Sequence, residues 1–290
     1  MAEIHHFTYG AFNPVAAYLL AFLGSFFGLA STARARDARN RGRRNRWLLI
    51  AAFAIGGGAI WLMHFTAMLG FDVPASPVRY DATVTLSSLV VAVGTVGTGL
   101  LLVGHGRRSL PKVAAAGVLT GSGVLAMHYT GMRAMHVAGE VRFDPGLVAA
   151  SAVIAVVAST VALWFTISVR GWGRIFGAAA IMAVAVCGMH YTGMAATSVH
   201  LDPFAVNVGG MRPLTMIVPM TLITAATIMG LAMSGLQAMT EEEFTDGAGT
   251  PRRGVHAENH NPWSLKQASV AAVRRPSPRP FPATRTPTNF

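Results

Sequence analysis

The chain has 290 residues, 52% hydrophobic and 12% charged, with a formal net charge of +11 and one cysteine. A soluble domain carries about twice that charged fraction, so a water-soluble enzyme is not the first reading. The lone Cys187 rules out an intrachain disulfide.

Seven apolar blocks follow in chain order: Pro14–Ala33, Trp47–Gly70, Ala82–Gly104, Lys112–Met135, Gly146–Ser168, Arg174–Ser198 and Leu214–Leu236. Each is near or above the ~20 residues a helix needs to cross a bilayer core. Backbone in lipid must satisfy its own hydrogen bonds, which favours helices, and the blocks lack the alternation of barrel strands. No basic segment precedes the first block, so it is expected to be a retained helix rather than a signal peptide. From about Thr240 the composition changes to three glutamates and then Gly-, Pro- and Arg-rich sequence, expected to be disordered. The predicted fold is therefore an all-α, multi-pass membrane protein of seven transmembrane helices. Residues 1–240 form the membrane domain and residues 241–290 a cytoplasmic tail.

The basic residues are unevenly placed. Arg34, Arg36, Arg39, Arg41, Arg43, Arg44 and Arg46 fall in the first connection, Arg107, Arg108 and Lys112 in the third, Arg170 and Arg174 in the fifth. The alternate connections hold only Arg79, Arg133, Arg142 and Arg212. Twelve against four predicts an N-terminus outside and a C-terminus in the cytoplasm, in the plasma membrane. The arginine-rich connection reads as a topology signal and a contact for anionic membrane lipids, not as a nucleic-acid surface.

Three apolar blocks carry one pattern: Met63-His64-Phe65-Thr66-Ala67-Met68, Met127-His128-Tyr129-Thr130-Gly131-Met132 and Met189-His190-Tyr191-Thr192-Gly193-Met194. The histidines are 64 and then 62 residues apart, the length of a helix pair. An aromatic residue (Tyr9, Tyr80, Phe143) opens each unit, so the chain reads as three helix hairpins plus one helix. The histidines fall 17, 16 and 16 residues after Trp47, Lys112 and Arg174. That is about 24–26 Å along each helix, level with one another near the outer face.

Residues four apart share a helix face. His64 with Met68, His128 with Met132 and His190 with Met194 thus each offer an imidazole and a thioether to the interior. Met63, Met127 and Met189 are turned to an adjacent face. Gly131 and Gly193, with Ala67 in the first copy, are small enough for close helix packing. Thioether with imidazole and no carboxylate selects copper among common metals, although three histidines alone also suit zinc. One ion with spare ligands and two ions both satisfy this set. Further soft groups are Met216 and Met220 on the seventh helix, Cys187 three residues before His190, and Met135 and His136, expected to extend the fourth helix's face. Met216, Met220 and Cys187 equally suit ordinary packing, and His5, His6 and His200 read as exposed. No nucleophile–base pair or carboxylate dyad accompanies the motifs, so an enzyme is not expected. Soft groups toward the cytoplasm are only Met229, Met233 and Met239, which favours a sensor over a permease. Copper acquisition or storage, and haem held by two of the histidines, are the alternatives.

The repeated Met-His-(Tyr or Phe)-Thr blocks on alternate helices resemble the MHYT domain, a bacterial integral membrane sensor family, over about residues 8–240. The resemblance implies one or two copper ions near the outer face, sensing oxygen, carbon monoxide, nitric oxide or redox state. It carries ligand roles onto Met63, His64, Met68, Met127, His128, Met132, Met189, His190 and Met194. The first copy departs, with Phe65 for tyrosine and Ala67 for glycine. Family members are often fused to diguanylate cyclase or phosphodiesterase domains. None is read in this chain, so output is expected through a separate cytoplasmic signalling partner.

Overall fold

The computed structural model describes residues 2–107, 109–202 and 208–213, with Thr215, Val218, Pro219, Leu222, Ala226 and Gly230. Met216, Met220, most of the expected seventh helix and the tail lie outside the described residues. Among the described residues, six helices are long and apolar enough to cross a membrane: α1 Phe12–Asp37, α2 Arg41–Met68, α3 Ala82–Gly104, α4 Leu110–Arg133, α5 Pro145–Ser168 and α6 Trp172–Ala195. Each packs on its successor, and α6 closes on α1. Large apolar side chains such as Val90, Val153, Phe176 and Val184 remain outward-facing, as expected of helices that meet lipid on one side.

Helix starts follow local chemistry. Asp81 accepts from the Val84 amide at 2.8 Å and Asp144 from the Leu147 amide at 2.9 Å, capping α3 and α5. Asn40 does the same for α2 through the Arg43 amide, 2.8 Å. The arginine-rich connection is therefore not a linker. Arg34 and Arg36 lie on α1, and Arg41, Arg43, Arg44 and Arg46 on the first turns of α2. Only Ala38, Arg39 and Asn40 separate the two helices, because the Asn40 cap starts α2 six residues before its apolar block.

Helix α2 is the most enclosed element, with 83% of its most apolar stretch buried against 22% for α5. Its residues Phe53–Leu62 adopt π geometry and carry three successive glycines, Gly56, Gly57 and Gly58. Neighbouring backbones touch it there. A Cβ on Gly56 would lie 2.8 Å from the Ala92 carbonyl oxygen on α3, and one on Gly24 of α1 would lie 2.6 Å from that of Ala54. Each π turn takes one residue more than an α turn, so this stretch resets the angular phase of Met63–Met68.

The C-termini of α2, α4 and α6 share one end of the bundle, where two antiparallel ribbons cover the motifs. These are β1 (Arg79–Tyr80) with β2 (Met135–His136), and β3 (Gly139–Phe143) with β4 (Thr197–Leu201). The all-α expectation thus gains a small β cap. The cap is built from one bond used three times. The amides of Thr8, Asp81 and Asp144 donate to the carbonyls of Gly70, Ala134 and Ala196, at 3.1, 2.8 and 2.9 Å. Each acceptor lies six residues after a motif histidine. The residues before the donors, Phe7, Tyr80 and Phe143, meet Tyr191, Phe65 and Tyr129, the first pair tilted and the other two edge-on, with centroids 5.8, 6.4 and 5.3 Å apart. Phe7, not the exposed Tyr9, is therefore the counterpart of Tyr80 and Phe143. Sequence spacing alone favoured the wrong aromatic because the extra length of the first unit hides the register.

Candidate metal centre

His64, His128 and His190 meet on the inside of the bundle, exposed by 1%, 0% and 1%. Their side-chain nitrogens form the one group of metal-ligating type found among the described residues, one ligand atom from each lying within 4.8 Å of the others. The Nδ1 atoms face inward: His64 to His190 is 3.0 Å and His64 to His128 is 3.2 Å. Ring centroids are 4.9, 4.9 and 5.3 Å apart and the planes stand 75°, 82° and 86° to one another. The site thus has near-threefold form, one imidazole from each of α2, α4 and α6.

The opposite edges are enclosed, those of His64 and His128 by glycine backbone. The Nε2 atoms of all three rings are sealed from solvent and have no hydrogen-bond partner. A Cβ placed on Gly131 would overlap His64 Nε2, and one on Gly193 would overlap His128 Nε2. The motif glycine is therefore more than a helix-packing residue. It leaves the gap that seats the imidazole of the preceding unit. Ala67, its counterpart in the first copy, belongs to a buried apolar cluster with Met63, Ala17, Ala21 and Ala183.

The motif aromatics complete the frame. Each stands edge-on to its own histidine: Phe65 at 4.7 Å and 83°, Tyr129 at 4.8 Å and 85°, Tyr191 at 5.0 Å and 75°. Tyr129 spends its hydroxyl on Ser151 Oγ of α5, 3.0 Å away, so its phenol is directed to a neighbouring helix. The Tyr191 hydroxyl is sealed from solvent without a partner, and Phe65 in the first copy has no hydroxyl to place. The Thr192 hydroxyl donates back to the Gly188 carbonyl at 2.7 Å, the local bond expected of a helical threonine.

Of the methionines, Met63, Met68, Met127, Met132, Met189 and Met194 are all buried. Met189 also lines a small apolar cavity with Met182, Val124 and Ile60, among others. Several second-rank expectations are corrected. Met135 and His136 are not on a helix face, because α4 ends at Arg133 and the pair enters β2. His136 is exposed, its Nδ1 3.2 Å from the Gly209 carbonyl. Cys187 is half-buried and stands apart from the histidine group. His6 is a correction in the other direction. It lies half-buried on Phe71, ring centroids 5.7 Å apart, with Nδ1 sealed and unpartnered. Burial holds its pKa below the ordinary histidine value. Periodicity gave no signal for His6, since it precedes the first helix and is enclosed only by the cap.

The Nδ1 of His64 stands 3.0 and 3.2 Å from those of His190 and His128, and lone pairs that close repel unless a proton or a cation lies among them. Two nitrogens bound to one tetrahedral metal at ~2.0 Å are about 3.3 Å apart, near the observed spacing. The donor set therefore fits a metal ion held through three Nδ1 atoms.

The MHYT family model, described as a bacterial signalling protein N terminal repeat, matches residues 57–116 and 121–179. The two stretches begin 64 residues apart, the His64–His128 spacing. The chain is 37% identical over 254 residues to the bifunctional diguanylate cyclase/cyclic di-GMP phosphodiesterase MucR of Pseudomonas aeruginosa, covering 84% of this chain and 37% of that protein. It is 34% identical to the cyclic di-GMP phosphodiesterase NbdA of the same organism, over 65% of this chain and 24% of that one. It is 28% identical to the signaling protein YkoW of Bacillus subtilis, over 68% and 25% respectively. The chain thus spans well under half the length of these relatives. No solved structure matches it.

Proposed function

The chain belongs to the MHYT family, and from that premise we propose that it is a plasma-membrane sensor whose input is a copper site near the outer face. The convergence of three buried Nδ1 atoms carries this reading. His64, His128 and His190 are the primary ligands. The thioethers of Met68, Met132 and Met194, one helical turn on, and of Met63, Met127 and Met189 complete a set that favours copper over zinc. One or two ions fit the number of donors. When bound, copper supplies a redox-active centre open to oxygen, carbon monoxide or nitric oxide. The rings' contribution is a rigid, water-excluded frame, fixed by Gly131, Gly193 and the edge-on aromatics. The chain itself acts as an input module without catalysis, read by a cytoplasmic signalling partner.

Haem is disfavoured by the geometry, since imidazoles whose Nδ1 atoms stand 3.0 Å apart leave no gap for a macrocycle between them. Copper analysis of the purified protein, with absorption spectra under argon, oxygen, carbon monoxide and nitric oxide, is the test. We expect bound copper and a spectrum that responds to at least one gas. Protein that carries zinc alone, or copper with an invariant spectrum, defeats the sensor reading.

Orientation rests on the arginines, which cluster at the bundle end opposite the motifs. Reporter fusions within residues 71–78 should be active outside the cell, and fusions at residues 38–40 inside. A cytoplasmic signal from the 71–78 loop would move the metal site to the inner face.

A further inference from the structure

The bundle has a second internal meeting point, at the end opposite the histidines. There the odd helices converge as the even helices do above. A cavity of about 100 Å³ is lined by Thr32 and Arg36 of α1, Leu100 and Val103 of α3 and Thr166 of α5, with Arg44 entering from α2. That volume accommodates about three waters, or one small polyatomic anion.

Its chemistry is one-sided. The lining holds two guanidinium groups and no carboxylate. The hydroxyls are already committed: Thr32 donates to the Leu29 carbonyl at 2.9 Å and Thr166 to that of Leu163 at 2.7 Å. Arg36 is locked in place, its guanidinium donating to the carbonyls of Thr166 and Val169 at the end of α5. Arg44 is not satisfied in this way, because its Nε is sealed from solvent and has no hydrogen-bond partner. A buried guanidinium N–H left unpaired costs more than a neutral one. At the rim, Lys112 Nζ donates to the His105 carbonyl at 2.5 Å, beside Gly106.

We propose that this pocket binds a phosphate group, presented by an anionic phospholipid headgroup or as free phosphate. Guanidinium forks match the several acceptor oxygens of phosphate, and the pocket lies among the ends of membrane-length helices, where a bilayer spanned by them would carry its phosphates. Arg44 lies 20 residues before His64 on α2, roughly 25–30 Å along the axis, so the pocket and the metal site are separate and the proposal stands independently of copper.

The test uses full-length protein in phosphatidylcholine nanodiscs, titrated with inorganic phosphate at constant ionic strength, and in parallel discs containing phosphatidylglycerol. Thermal stability is the readout. A rise with inorganic phosphate in phosphatidylcholine assigns the free ion; a rise only with phosphatidylglycerol assigns the headgroup. Arg44→Gln should weaken the response about tenfold to a hundredfold, the cost of one charge-assisted bond. Arg46→Gln, which removes the same charge from an exposed position on the same helix, should leave it intact. Arg44→Lys keeps the charge but deletes the buried N–H, and should lose most of the affinity too. The proposal is overturned if wild-type protein responds to neither probe, if either Arg44 variant binds undiminished, or if Arg46→Gln loses as much.

Discussion

Replacing His64, His128 and His190 together by alanine is expected to abolish copper retention while the protein still inserts and folds. Insertion depends on long apolar spans that alanine does not interrupt. Retention depends on three nitrogens that no other histidine or cysteine among the described residues can replace. Single replacements should each weaken the site by at least the ten- to hundredfold that losing a mere supporting partner costs a metal site. His64 should be the most sensitive, because its Nδ1 makes both short contacts, 3.0 Å to His190 and 3.2 Å to His128. Replacing Met68, Met132 and Met194 together should weaken Cu(I) more than Cu(II), since thioether prefers the reduced ion. Metal analysis after purification, with competition against Cu(I) and Cu(II) chelators, reads both effects. Copper retained at wild-type level by the triple-histidine variant would sink the assignment.

Gly131→Ala and Gly193→Ala should each destabilise the protein by about 1–3 kcal/mol, the usual cost of overpacking a closed core. The new methyl would occupy the space of His64 Nε2 in one case and His128 Nε2 in the other. The ring has little room to yield, with its own motif aromatic on one side and two other imidazoles ahead. Metal affinity should fall along with thermal stability, since the displaced ring carries its Nδ1 out of the cluster. Gly177→Ala and Gly188→Ala on α6 serve as controls. A Cβ there meets nothing within 4 Å, so these should be neutral or stabilising by up to ~1 kcal/mol through helix propensity. Equal melting temperatures for Gly131→Ala and Gly188→Ala would show that the glycine does not seat the ring.

Membrane-length helices and the level of the three histidines were legible without coordinates. Both follow from one-dimensional quantities, span length and residues counted from a helix start, and lipid permits few other backbones. The Met-His pattern likewise marked the three histidines that converge, because an imidazole inside an apolar span needs an interior partner. Which nitrogen faces the centre is another matter. Nδ1 is turned inward because Nε2 rests on a glycine of the next unit, a contact between residues 64 and 131 that no local spacing encodes. The same holds for Phe7 over Tyr9, since the pairing of Phe7 with Tyr191 closes the ring between the first and last units of the chain. The π stretch in α2 was also invisible, because its glycines read equally well as α-helix packing until Gly24 and Ala92 of neighbouring helices press on them. Arg44 reads in sequence as one of seven arginines that set topology and contact anionic lipids. Only the meeting of α1, α2, α3 and α5 encloses its Nε, because burial of a side chain is decided by what packs over it.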